Sequence, residues 1–169
     1  RFTQLMVQLH HKAQVNRYSS FQSGLYHIYL KGNYDFNLNS FLGLPSTSEL
    51  YNYSFLSHLY GAFGNWTYSK DQLSFTVGLH ANQYDRRHTG SVNTSGKLYQ
   101  NTGYKDELSA FTKATYRLGR AEFFADLQYR KVAFKYEGSV SLPLLDWQFF
   151  NPKAGISFSL SKELVVYYS

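Results

Sequence analysis

The feature that most constrains this chain is an alternation. From Leu73 to Asn82 the odd positions Leu73, Phe75, Val77, Leu79 and Ala81 are apolar, while Gln72, Ser74, Thr76, Gly78, His80 and Asn82 are polar or small. A period of two belongs to a strand with two unlike faces. Leu59 to Tyr84 is therefore expected to be a hairpin turning at Lys70-Asp71. With Ser69 opposite Gln72, one greasy face pairs Tyr68 with Leu73, Trp66 with Phe75, Gly64 with Val77 and Ala62 with Leu79. On the wetter face Phe63 falls opposite Gly78 and Gly61 opposite His80, a placement that lets a ring cover a bare glycine.

The same rhythm recurs along the chain. Leu5, Val7, Leu9, Ala13 and Val15 alternate with Gln4, Gln8 and Gln14, and Asn16-Arg17 turns this strand into a second, running from Tyr18 to about Phe36. That strand has Gly24, Tyr26, Ile28, Leu30, Gly32, Tyr34 and Phe36 on one side, and His27, Tyr29, Lys31, Asn33 and Asp35 on the other. A further hairpin, Leu108 to about Gly138, turns at Gly119-Arg120; with Leu118 opposite Ala121 it pairs Arg117 with Glu122 and Lys113 with Asp126 on one face. Two opposite-charge pairs arise from a single register choice, each worth about 0.2–1 kcal/mol. Past Arg130 the apolar positions become even (Val132, Phe134, Tyr136), which predicts a bulge or the end of the two-faced region. Trp147 to Ser161 is a seventh strand and Lys162-Glu163 turns it into an eighth. Asp35–Asn52, Ser91–Lys105 and Gly138–Asp146 have no period and read as loops.

These segments predict an all-β chain, an antiparallel up-and-down meander of about eight long strands, forming a single unit over residues 1–169. Both chain ends fall inside alternating segments, so a piece of a larger barrel is expected, the alternative being a self-contained eight-stranded binding barrel, soluble or in a membrane. Charged residues make up 17% and aromatics 19%, against about 25% charged in average domains, a balance that favours strands and interfaces. The net charge of +6 is scattered, without the stripe or run that nucleic acid requires. Cysteine is absent, which excludes disulfide and thiolate-metal frameworks.

Period alone does not say which face meets water. A soluble barrel buries the apolar face, and a membrane barrel turns it outward to lipid around a polar lumen. Three features favour the membrane: strands far longer than the usual 5–6 or so residues; aromatic residues toward the ends of apolar faces (Trp66 and Tyr68 at a turn end, Tyr34 and Phe36 at a loop end); and short turns at one end with long loops at the other. The greasy faces between these aromatics carry no Lys or Arg, one of which would cost about 2–4 kcal/mol at midplane.

Several strings resemble a known family. Tyr60-Gly61-Ala62, Asp71-Gln72-Leu73-Ser74-Phe75-Thr76-Val77-Gly78 with Tyr84-Asp85, Asn101-Thr102-Gly103, Phe124-Ala125-Asp126-Leu127-Gln128-Tyr129-Arg130 and Phe149-Phe150-Asn151-Pro152-Lys153-Ala154-Gly155 resemble the barrel of TonB-dependent outer-membrane receptors, from about Leu25 onward. The resemblance implies a bacterial outer-membrane barrel of about 22 strands, plugged by a separate N-terminal domain. Such a receptor imports a scarce nutrient (a metal chelate, cobalamin or a glycan) with energy delivered by TonB through the plug. With no plug, no TonB box and fewer strands, this chain corresponds to a middle part of that barrel.

Chemistry-bearing patterns are sparse. His10 and His11 point to opposite faces of one strand and cannot chelate one ion together. His27 and His80 are expected on the polar face, within reach of a lumenal ligand. Glu122 and Asp126, four apart on one face, have a glycosidase-like spacing, but each has a cationic neighbour, which makes them structural lumenal pairs with Arg117 and Lys113. No catalytic motif appears, so no enzyme, cofactor or metal is expected. Recognition on a rigid barrel concentrates in loops, and Tyr51, Tyr53, Arg86, Arg87, Tyr99 and Tyr104 are the expected ligand contacts there. The sequons at Asn52, Asn65 and Asn93 carry no weight in a bacterial protein.

Overall fold

A computed structural model describes residues 1–39, 42–43, 47–92 and 96–169, without the side chains of residues 47–49. Each alternating segment forms a strand: β1 (Phe2–Asn16), β2 (Ser19–Leu38), β3 (Thr47–Lys70), β4 (Leu73–Val92), β5 (Gly96–Leu118), β6 (Ala121–Gly138), β7 (Leu142–Ser159) and β8 (Val165–Tyr168). They make one antiparallel sheet in the order β1-β2-β3-β4-β5-β6-β7-β8, each strand paired with its sequence neighbour. Among the described residues β1 and β8 do not pair, so the sheet is open.

The β5–β6 register is the expected one, from Leu118 opposite Ala121 to Ser109 opposite Arg130. The β3–β4 hairpin turns one residue later than expected, at Asp71-Gln72, with Lys70 opposite Leu73. Asp71 takes a positive φ of 52°, which a short polar side chain tolerates better than most. Tyr68 therefore meets Phe75 and Trp66 meets Val77. Partners shift by two positions, so every side chain keeps its face. Past Arg130 the β5 ladder runs unbroken to Asn101–Gly138, whereas the β7 ladder shifts register between Phe134 and Tyr136, so an irregularity is present on that side alone.

All three expected long loops are largely strand. Asp35 sits opposite Asn52, whose Nδ2 donates to its Oδ1, β4 reaches Val92 before β5 begins at Gly96, and β7 begins at Leu142. The sequon at 93–95 lies outside the described residues, and Asn52 and Asn65 stand in β3.

One face carries an apolar band. Leu73, Phe75, Val77, Leu79 and Ala81 lie beside Tyr116, Ala114, Thr112, Ala110 and Leu108 of β5, and these beside Phe123, Ala125, Leu127 and Tyr129 of β6. At the turn end the band is edged by Phe21, Trp66, Tyr68, Phe75, Tyr116, Phe123 and Phe158, and further on by Tyr60, Tyr129 and Phe150, so that Tyr68 to Tyr60 and Phe158 to Phe150 each span nine residues counting both ends. Nine to eleven or so residues is the length of a membrane-crossing strand. Among the described residues no Lys or Arg stands on this banded face between the two aromatic rows. Beyond the upper row the same face turns polar, with Gln83, Asp85, Asp106, Lys131 and Gln148.

The opposite face changes in the other sense. Toward the turns it carries Gln8, Lys12, Gln22, Thr76 and Lys113; further along it carries Met6, Ile28, Leu30, Phe55 and Leu59. The expected partition of β2 is right, but its grouping is not. Tyr26, Ile28, Tyr34 and Phe36 align with His80 on the opposite face, so Tyr34 and Phe36 do not belong to the band's aromatic edge. His27 aligns with Leu25 and Tyr60 on the banded face, and His27 and His80 are therefore on different sides.

Val132 is the one buried hydrophobic residue described, at 5% exposure, so a single-layer sheet has no core of its own. Side chains on the opposite face instead fold flat. Gly24, Gly32, Gly61, Gly78, Gly90, Gly103 and Gly155 each stand directly across from an aromatic ring, respectively Phe63, Phe55, Tyr26, Phe111, Tyr99, Tyr136 and Phe124. A Cβ at Gly24 would lie 2.5 Å from the Phe63 ring. Ring-over-glycine covering is therefore the rule of this face. At the first hairpin the rings come from the neighbouring strands β2 and β5, not from within the pair as expected.

Candidate ligand site

Above the band, β2 to β5 bring an aromatic wall together on the opposite face. Phe36 stacks on Tyr51 with centroids 4.9 Å apart and planes 3° apart, Tyr51 lies 5.1 Å from Tyr53, and Tyr53 lies 6.5 Å from Tyr99. Gly90, opposite Tyr99, leaves that ring room to lie against the sheet. A concavity of about 380 Å³ opens among Tyr34, Tyr53, Phe55, His88 and Tyr99.

Arg86 stands between Ser57 and Gly103, two small residues that let its long side chain lie along the wall. Its guanidinium lies over the Phe55 ring, 4.4 Å from the centroid, and its Nε is buried without a hydrogen-bond partner. His88, outside the band, is held below the usual histidine range by burial and then by the Arg86 charge. The site thus presents ring faces, one half-buried cation and a histidine whose protonation is disfavoured, a set that suits a flat or anionic ligand.

Of the six expected contacts, Tyr51, Tyr53, Arg86 and Tyr99 share this wall, whereas Arg87 and Tyr104 point to the banded side. None of the six is on a loop; all stand on strands. Phe36, Phe55 and His88 were not expected as contacts, and the alternation that places Phe36 with Tyr34 was the available signal.

Deeper on the same face Tyr26 Oη and His80 Nε2 are 2.8 Å apart, and Glu107 pairs with Lys105 at 2.8 Å and Arg130 at 4.0 Å. Nearer the turns Arg117 Nη2 donates to Glu122 Oε2 at 2.8 Å. Lys113 stands opposite Asp126 in register, with Lys153 on the other flank, but of the two expected pairs the described ion pairs include Arg117–Glu122 alone. Glu122 is thus engaged and Asp126 lies between two lysines, an arrangement that offers no free acid–base pair. On the banded side His27 Nε2 and His58 Nδ1 are 3.1 Å apart with rings within 4° of parallel.

No family model and no curated protein matches the chain. Solved structures do. The copper transporter OprC superposes with a TM-score of 0.77 at 14% identity, over 95% of this chain and 28% of that one. The ferric-catecholate import receptor Fiu from E. coli K12 gives 0.70 at 9% identity, over 95% and 34%. BauA, the ferric preacinetobactin receptor from Acinetobacter baumannii, gives 0.66 at 11% identity, over 98% and 29%. The chain spans about a quarter to a third of the length of these proteins. Its fold is that of part of the transmembrane β-barrel of TonB-dependent outer-membrane receptors.

Proposed function

We propose that this chain is a segment of the wall of a TonB-dependent importer in the bacterial outer membrane, with the apolar band to lipid and the opposite face to the lumen. The observation that carries the reading is the exchange of polarity along the strands. One face is greasy over a belt edged by aromatics and polar beyond it, while the other face at that level carries polar residues and rings laid flat over glycines, and raises a wall of mutually stacked rings only above it. A soluble barrel has no reason to confine its greasy residues to a belt edged by aromatics. The open edges of β1 and β8 favour a wall segment over a closed eight-stranded barrel, because unpaired backbone groups cost several kcal/mol each in lipid.

In this reading the ligand is a scarce nutrient, a metal chelate, cobalamin or a glycan, and Tyr51, Tyr53, Arg86 and Tyr99 meet it from the extracellular side. TonB acts through a plug domain seated in the lumen. Similarity in fold to a copper transporter and to two ferric-chelate receptors supports a metal chelate as the first of these ligands to test. Spin labels test the orientation: a nitroxide at Val77 is expected to be quenched by oxygen dissolved in lipid and shielded from an aqueous nickel chelate, and one at Thr76 the reverse. The opposite result would turn the wall inside out.

A further inference from the structure

We propose that the outer wall over β2–β4 holds an anionic phospholipid of the periplasmic leaflet, its phosphate at Arg17 and Lys70 and one acyl chain in the trough above them. Both cations converge on one ring: the Arg17 guanidinium lies 4.4 Å and the Lys70 ammonium 5.2 Å from the Tyr18 centroid. Neither is among the described ion pairs, although Asp71 follows Lys70 in the chain. Two like charges gathered on one ring repel each other unless an anion joins them, and charge-assisted hydrogen bonds from Arg and Lys suit a phosphate. The ring is held in place, since Ser69 N donates to Tyr18 O at 2.8 Å and the Tyr18 and Tyr68 rings are 6.3 Å apart.

The location supplies the rest of the ligand. Lys70 stands on the banded face one step beyond Tyr68 and Trp66, at the short-turn end where headgroups of the periplasmic leaflet would lie. Further up the same face, past Tyr68, a depression of about 500 Å³ is floored by Gly64 and Ala62 and walled by Phe21, Trp66, Val77 and Leu79. Gly64 opens it: a Cβ there would meet nothing closer than Phe21 at 3.6 Å, so the missing side chain leaves space and not a clash. From Lys70 to Ala62 the strand runs eight residues, about 27 Å at 3.4 Å each, long enough for a headgroup and most of an acyl chain. Phosphate site and trough thus lie on the same face of β3, with the Tyr68 and Trp66 rings between them.

The proposal rests on the membrane reading, which the Val77 label tests separately. The full-length protein in detergent would be titrated with dioleoyl-phosphatidylglycerol or dioleoyl-phosphatidylcholine and followed by native mass spectrometry. At about a factor of five per cation near a membrane surface, R17Q/K70Q is expected to weaken phosphatidylglycerol binding about 30-fold and to weaken phosphatidylcholine, whose choline offsets its phosphate charge, by less. R17K/K70R should retain binding, which guards against simple misfolding, and G64L, filling the trough, should weaken both lipids. Phosphatidylglycerol held equally well by R17Q/K70Q and by the unaltered protein would overturn the phosphate site. Both lipids held undiminished by G64L would overturn the trough.

Discussion

Replacing Leu79 by arginine distinguishes the two environments its side chain could face. Leu79 is 59% exposed. In water, a change at so exposed a position falls within about ±0.5 kcal/mol. In a bilayer the position decides the outcome: Leu79 is four residues from Phe75 on the lower aromatic row and four from Gln83, the first polar residue above. At about 3.4 Å per residue that is about 14 Å along the strand from each, which puts it near midplane. Arginine there is expected to cost about 2–4 kcal/mol, a 30- to 1000-fold shift in the folding equilibrium at about 1.4 kcal/mol per decade. The same substitution at Phe75 or Gln83 should cost about 0–1 kcal/mol as its charge reaches the interface. Denaturant titration of the full-length protein in phospholipid vesicles, read by tryptophan emission, measures all three. A flat profile, or a cost at Leu79 below 0.5 kcal/mol or so, refutes the lipid-facing assignment.

Three further outcomes are expected. Gly78→Ala has no room beside the Phe111 ring and should destabilise by about 1–3 kcal/mol; adding Phe111→Ala should recover part of that loss, and a double-mutant cycle in the same titration reads the coupling. In a ligand-binding assay on cells or purified receptor, Tyr53→Ala and Arg86→Gln should each weaken affinity by about tenfold, a loss of 1–2 kcal/mol or so for an aromatic or arginine contact covered by ligand, while Arg87→Gln and Tyr104→Ala, on the banded side, should not. His88 is held below its usual range by burial and by Arg86, so the folded state resists its protonation. Stability contributed by the neutral ring is present above the unfolded value near 6.5 and is lost as pH falls through it toward the folded value. His88→Gln should flatten that slope in denaturation measured between about pH 8 and pH 5.

The faces were legible in the sequence wherever only one of them is greasy. Leu73 to Ala81 could be assigned because its two faces differ in polarity, and the Leu108–Gly138 register because Gly119 and the Arg117–Glu122 pair admit one solution. Where that demand stops, the signal stops. Asp35, Asn52, Asn101 and Gly103 look like loop residues because above the band both faces are polar or aromatic and alternation fades, yet the ladders continue through them. His27 was grouped with His80 because β2 passes through the level where the faces exchange polarity. Lys70-Asp71-Gln72 offers no glycine to fix its turn, so the register slipped by one turn position there. Of the candidate site, residue types were readable from composition, but which four of six share a wall depended on register.

The continuation of β3, β4 and β5 beyond the apolar band, as paired strands and not loops, bears on how such a site could change its ligand. A loop can alter its contacts by shifting backbone, at about 1–2 kcal/mol per residue to fix again on binding. A hydrogen-bonded wall offers a fixed lattice in which only alternate positions reach the lumen. Tyr51, Tyr53 and Phe55 are successive rungs of that lattice, and a ligand of different shape would be accommodated by exchanging side chains rung by rung, without insertion or deletion. Divergence in ligand preference should then be confined to every second residue, with the intervening ones free to follow the solvent or the lipid.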